Sequence, residues 1–66
     1  MTRTSLSAGD EVDAVVTTVT PFGVLVRTEA GVPGLVRAAR EGVGTLLHLR
    51  VVEFDPDERR FSATVA

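Results

Sequence analysis

Pro21-Phe22-Gly23-Val24-Leu25-Val26, read together with Gly34-Leu35-Val36-Arg37, decides the fold of this chain. A phenylalanine followed by glycine marks the mouth of a β-hairpin. An alternating apolar run follows, then a Gly-Leu-Val return, then an arginine where the chain leaves the sheet. In a small β-barrel this layout puts an aromatic ring and a cation on one outer surface. Single-stranded nucleic acid needs such a surface, because bases stack on rings and phosphates seek positive charge.

The alternation extends in both directions. Upstream, Val12, Ala14 and Val16 alternate with Glu11, Asp13 and Thr17, the period of a half-buried strand over residues 11–20. The phase then slips so that Val19 rather than Thr18 faces inward, which a β-bulge produces where a barrel strand bends. In the second strand Val24 and Val26 face one way, Leu25 and Arg27 the other. Glu29-Ala30-Gly31 is a turn, and Pro33-Gly34 opens a short third strand through Leu35 and Val36. A proline at a strand start gives up a single ladder donor.

Residues 37–44 form a connector in which Ala38-Ala39-Arg40-Glu41 is long enough for one helical turn, ended by Gly42. A fourth strand alternates through Leu47, Leu49 and Val51, with Phe54 breaking the parity. Asp55-Pro56-Asp57-Glu58 is a turn with proline at its second position. Phe61, Ala63 and Val65 alternate in a fifth strand. Five short strands, the first and fourth long and bent, with a connector between the third and fourth, describe an all-β, five-stranded OB-fold Greek-key barrel. An SH3-like barrel is the main alternative, but it usually has shorter opening strands and conspicuous surface aromatics.

Composition bounds the rest. Sixty-six residues make one domain, near the lower limit for a self-sufficient core. Residues 1–8 read as a flexible polar leader and residues 9–66 as the barrel. Hydrophobic residues are 44% of the chain, dominated by β-branched valine. No cysteine is present to form disulfides or thiolate metal sites. No run approaches the roughly 18 apolar residues of a membrane span, and no signal peptide precedes the first strand, so the expected location is the cytoplasm. Lys, Asn, Gln, Ile, Tyr, Trp and Cys are all missing and every basic residue is arginine, which points to a bacterial high-GC coding bias. The net charge of −2 argues against a strong nonspecific nucleic-acid binder. It leaves room for a local cationic patch around Arg37 and Arg40.

Across residues 9–66 the chain resembles the S1 domain, the RNA-binding OB-fold repeated in ribosomal protein S1 and appended to RNA-processing enzymes. Gly9-Asp10-Glu11-Val12 resembles the family's opening. Residues 16–26 resemble Val-x-x-Ile-x-x-Phe-Gly-Ala-Phe-Val, and Gly34-Leu35-Val36-Arg37 resembles Gly-Leu-Val-His. Val43-Gly44 with Leu49-Arg50-Val51-Val52-Glu53-Phe54-Asp55 resembles Val-Gly followed by Val-Lys-Val-Leu-x-Val-Asp, and Arg59-Arg60-Phe61-Ser62 resembles Arg-Arg-Ile-Ser. The pieces occur in the family's order.

The resemblance implies an RNA platform of two aromatics and a histidine, helped by an acid and a base flanking the last turn. Carried over, these positions are Phe22, Leu25, Arg37, Asp55 and Arg59. Phe22 keeps the ring. Leu25 loses the second one, and Arg37 replaces the imidazole with a group that still stacks and forks onto phosphate. A common early Gly-Lys is replaced by Ala14-Val15, and the connector after Arg37 is shortened.

Each position also has a plainer reading: Phe22 as an apolar plug at a barrel corner, Arg37 as a solvated charge. His48 has no Cys or second His to share a metal. It is read as solvated or hydrogen-bonded, beside Arg50 on the outer face. Asp55 is read as pinning Arg59 or Arg60, or as accepting from a base amino group. No nucleophile–base pair, phosphate loop, metal cluster or cofactor motif is recognisable, so the expectation is a non-enzyme.

The expected function is weak, low-specificity binding of single-stranded RNA by a monomer, through Phe22, Leu25 and Arg37 with Arg50, Asp55 and Arg59 at the margin. The alternative is an S1-like fold serving as a protein-interaction module in a ribosomal, transcription or RNA-decay complex. That reading rests on the acidic charge and on outward Val15, Leu25 and Val52.

Overall fold

A computed structural model describes residues 6–37 and 39–66. Five strands follow in order: β1 Glu11–Thr20, β2 Gly23–Thr28, β3 Pro33–Arg37, β4 Leu46–Asp55 and β5 Arg60–Val65. They close into a barrel in the order β1-β2-β3-β5-β4. Every pairing is antiparallel except β3 with β5. This is the OB-fold expected from the alternation. The five residues that open the expected leader, and Ala38 of the expected helical turn, lie outside the described residues. Leu6 already packs against the core, and Gly9 N–H donates to Val51 O at 2.7 Å.

The core is small and almost entirely aliphatic. Ala14, Val16, Val24, Val26, Val36, Leu47, Leu49, Val51, Phe61 and Ala63 are buried, with no buried polar side chain among them. Each is the inward residue of a period-2 alternation, so their apolar burial also fixes the strand register.

Both long strands bend at bulges. In β1, Val16 opposes Val26 and Thr18 opposes Leu25, leaving Thr17 as the extra residue. In β4, Val51 opposes Ala63 and Glu53 opposes Ser62, leaving Val52 extra. The parity breaks expected near Val19 and Phe54 are these two bulges. Phe54 packs against the core. Val19 shares the inner side with its partner Val24, yet it stays 52% exposed. It lies past the packed centre, at the barrel end, where inward orientation does not bring burial.

Ala39 to Gly42 forms no helical turn. The connector gives its backbone to β1 instead: Gly44 N–H donates to Val16 O at 2.8 Å, and Val16 N–H to Thr45 O at 2.9 Å. Two glycines, Gly42 and Gly44, weaken any helical tendency in so short a segment.

Two glycines of the opening motif are required by packing. A Cβ on Gly23 would lie 2.2 Å from Val36 O, at a φ of +155°. A Cβ on Gly34 would lie 2.4 Å from the ring of buried Phe61. Gly23 lets β2 close on β3, and Gly34 makes room for the aromatic that fills the seam between β3 and β5.

Candidate nucleic-acid interface

The barrel exposes one continuous row of outward residues across all five strands: Thr18, Leu25, Leu35, Ser62 and Glu53, each opposite the next. This row is the floor of a groove of about 770 Å³. Arg37, opposite Gly23, stands at its upper side. Arg27, Pro33, Asp55 and Arg60 form the lower side. Leu25 and Arg37 therefore meet in one groove. Leu25 is 39% exposed and Leu35 is half-buried, so the middle of the floor is an accessible apolar shelf, with Thr18 on one side and Ser62 and Glu53 on the other.

Phe22 sits one residue before Gly23, in the turn between β1 and β2, and is 80% exposed. Thr20 builds this corner. Its hydroxyl accepts from the backbone N–H of Phe22 and Gly23, both at 3.2 Å, and donates to Gly23 O at 2.9 Å. The ring is presented to solvent rather than plugged into the barrel. It borders a smaller cleft shared with Val19, Pro21, Ala39 and Arg40, which adjoins the groove across the Gly23–Arg37 pair.

The last turn departs from simple carry-over. Asp55 lines the groove, but its Oδ1 is occupied by the backbone N–H groups of Asp57, at 3.0 Å, and Glu58, at 3.3 Å. It shapes the turn and pins neither arginine. Arg59 takes the left-handed conformation that closes the loop, with φ at 55°. Arg60 rather than Arg59 lines the groove, 3.2 Å from Glu58.

Arg50 lies outside the groove. On the β1–β4 surface it opposes Glu11, with its guanidinium 3.1 Å from the carboxylate. His48 opposes Asp13 beside it. Nδ1 of His48 is 2.7 Å from Asp13 and Nε2 is 2.6 Å from Glu11. Both ring nitrogens donate only in the imidazolium, so the bonds to Asp13 and Glu11 raise the His48 pKa above its ordinary 6.5. The bonds from His48 and then Arg50 lower Glu11 below its ordinary 4.5.

Sequence reasoning missed Arg60, Leu35, Ser62 and Glu53 as groove residues. Strand alternation held the signal for Leu35 and Ser62. For Glu53 it was obscured by the bulge at Val52. Among the described residues Arg27 and Arg37 have no carboxylate within ion-pair distance. The groove thus offers two leucines at its centre, Arg27 and Arg37 on opposite sides, and three carboxylates, Glu53, Asp55 and Glu58, in its lining. No group of His, Cys, Asp or Glu among the described residues has the arrangement of a metal site.

A five-stranded OB barrel with a groove across its strands is the architecture of a class of binding modules. The sequence model of the S1 RNA binding domain family matches residues 5–40, and the chain belongs to that family.

Solved structures share the fold. An uncharacterised protein of Methanocaldococcus jannaschii superposes with a TM-score of 0.82 at 20% identity, over 92% of this chain and 93% of that one. GSP13 from Bacillus subtilis gives 0.82 at 18%, over 91% of this chain and 55% of that one. RNase R from Mycoplasma genitalium, solved with ribose-methylated single-stranded RNA, gives 0.73 at 16%, over 89% of this chain and 13% of that one. No curated protein sequence matches the chain. No helix among the described residues is long and apolar enough to cross a membrane.

Proposed function

We propose that this chain binds single-stranded RNA through the groove, with Leu25 and Leu35 as its floor, Arg37 as its main cation and Phe22 as a stacking ring at the upper corner. The observation that carries the reading is that Leu25 and Arg37 line one groove whose upper edge, the Gly23–Arg37 pair, adjoins exposed Phe22. Family membership supports nucleic-acid binding, and the RNA held by the RNase R neighbour supports RNA as the ligand.

Binding is weak and tolerant of sequence at most positions. Stacking contributes about 1–3 kcal/mol per base, and the leucine at position 25 forgoes one such contact, roughly ten- to a hundredfold in affinity. Asp55 is a minor contributor because the turn occupies it. Arg50, held by Glu11, and Arg59, in the turn, stand at the margin.

Titrating the isotope-labelled protein with short single-stranded RNAs at low salt tests the reading. Amide signals at Phe22, Leu25 and Arg37 shift together, and Phe22→Ala weakens binding more than Leu25→Ala. Unmoved signals at millimolar RNA refute it.

A second reading, docking on a protein of the translation or RNA-processing machinery, is favoured by the directly opposed and exposed pair Val15–Leu46. In that case Leu46→Arg abolishes docking and leaves the RNA titration unchanged.

A further inference from the structure

We propose that Glu53, with Ser62 beside it, reads the edge of one base in the groove and selects guanine; this rests on the groove being the RNA site.

Three carboxylates line the groove: Glu53, Asp55 and Glu58. Two are already engaged. Asp55 accepts from two backbone N–H groups, and Glu58 pairs with Arg60. Glu53 alone among them has no hydrogen-bond or ion-pair partner among the described residues, although Arg37 lines the same stretch. A lone carboxylate in a groove for a polyanion repels phosphate. What it accommodates is an uncharged group that brings hydrogen-bond donors, and in RNA that group is a base edge.

The register sets the reach. Leu25, Leu35, Ser62 and Glu53 stand in one row on four successive strands. Neighbouring strands lie about 4.8 Å apart, so Glu53 is roughly 10 Å from Leu35. A base resting on the two leucines projects its pairing edge along the row toward Ser62 and Glu53.

The chemistry along that edge distinguishes the bases. A carboxylate only accepts, whereas a hydroxyl both donates and accepts. Guanine presents O6, N1–H and the 2-amino group in sequence. The Ser62 hydroxyl donates to O6, and the two Glu53 oxygens accept from N1–H and the amino group. Adenine and cytosine each offer a single amino donor, and uracil a single N3–H between two carbonyls that a carboxylate repels. Guanine alone gives the two-point contact with Glu53.

The test compares an oligouridine with the same oligomer carrying one central guanosine, inosine, adenosine or cytidine, titrated into wild type and Glu53→Gln. The guanosine oligomer is expected to bind wild type about five- to tenfold more tightly than oligouridine, the lower range for a two-point contact in an open groove. Inosine, which lacks the 2-amino group, falls between them. Glu53→Gln removes the guanosine preference, read as the ratio between oligomers, so a uniform gain from losing a negative charge does not obscure it. Glu53 is exposed, and the variant's oligouridine titration confirms that it remains folded and binding. Equal affinity for all oligomers, or a guanosine preference that persists in Glu53→Gln, overturns base selection and leaves the groove intact. Unmoved Leu25 and Arg37 signals with every oligomer overturn the groove itself.

Discussion

Two outward surfaces of the same barrel treat charge in opposite ways. On the β1–β4 side, Glu11, Asp13, His48 and Arg50 neutralise one another within a single cluster of contacts. Across the groove, Arg27 and Arg37 flank the Leu25–Leu35 shelf without carboxylate partners among the described residues. Both surfaces are exposed and both carry arginine. A paired guanidinium must give up its partner to hold a phosphate, whereas an unpaired one gives up only water. The difference lets a chain of net charge −2 keep two accessible guanidinium groups in a groove that also carries Glu53, Asp55 and Glu58.

The harshest way to break the comparison is Gly23→Ala, because the added methyl meets Val36 O in a backbone conformation that L-residues rarely adopt. The expected loss is on the order of 3 kcal/mol or more, a large part of a small domain's stability. Denaturant unfolding measures it. If amide signals on the β1–β4 side survive while those of the groove disappear, the two surfaces are separable units rather than one barrel.

Leu25→Phe sharpens the contrast from the other direction. It restores a ring to an exposed floor position and is expected to raise RNA affinity about tenfold or more, within the stacking range per base. An unchanged dissociation constant would show that bases do not lie on this part of the floor.

Exchanging the roles of the arginines gives a smaller effect. Arg37→Ala should weaken RNA binding severalfold and lower the salt slope by about one. Arg50→Ala should change neither by more than about twofold, since Glu11 already holds that guanidinium. Equal losses from both variants would mean that RNA spreads over the two surfaces alike.

The smallest effect is the pH response of the His48 cluster. A raised His48 pKa contributes stability that is complete below the ordinary 6.5 and is lost as pH rises through the raised value. The lowered Glu11 contributes above 4.5 and is lost as pH falls through its lowered value. The cluster therefore helps most in mildly acidic solution. The melting temperature should decline slightly from about pH 6 to about pH 9 at low salt, and His48→Gln should flatten that decline. RNA affinity at constant salt should follow neither change.

What the sequence could reveal follows physical lines. The strands were legible because buried valines recur every second residue. The bulges were legible because Val19 and Phe54 fall out of phase with their neighbours. The exposure of Val19 was not, since alternation gives the side a residue faces but not whether the barrel end above it is filled. The groove positions Leu25, Arg37 and Asp55 followed from strand order and the family's pattern. Arg60 did not, because the left-handed Arg59 belongs to the turn and β5 begins one residue later, at Arg60 opposite Asp55. His48 was legible as a hydrogen-bonded neighbour of Arg50 on the outer face, but its partners Glu11 and Asp13 were not, because they depend on β1 meeting β4 in one register across a separation of 35 residues.

The parallel seam between β3 and β5 joins the ring through only the pairs Gly34–Phe61, Leu35–Ser62 and Val36–Ala63. It has the fewest paired positions of the five joints, and like β1–β4 it is closed by no hairpin turn, so loop-closure entropy opposes it. The shortest joint is where the cylinder is expected to open first. In hydrogen exchange, the amides along this seam mark the lowest-energy excursion of the barrel, and any ligand lying across Leu35 and Ser62 slows it.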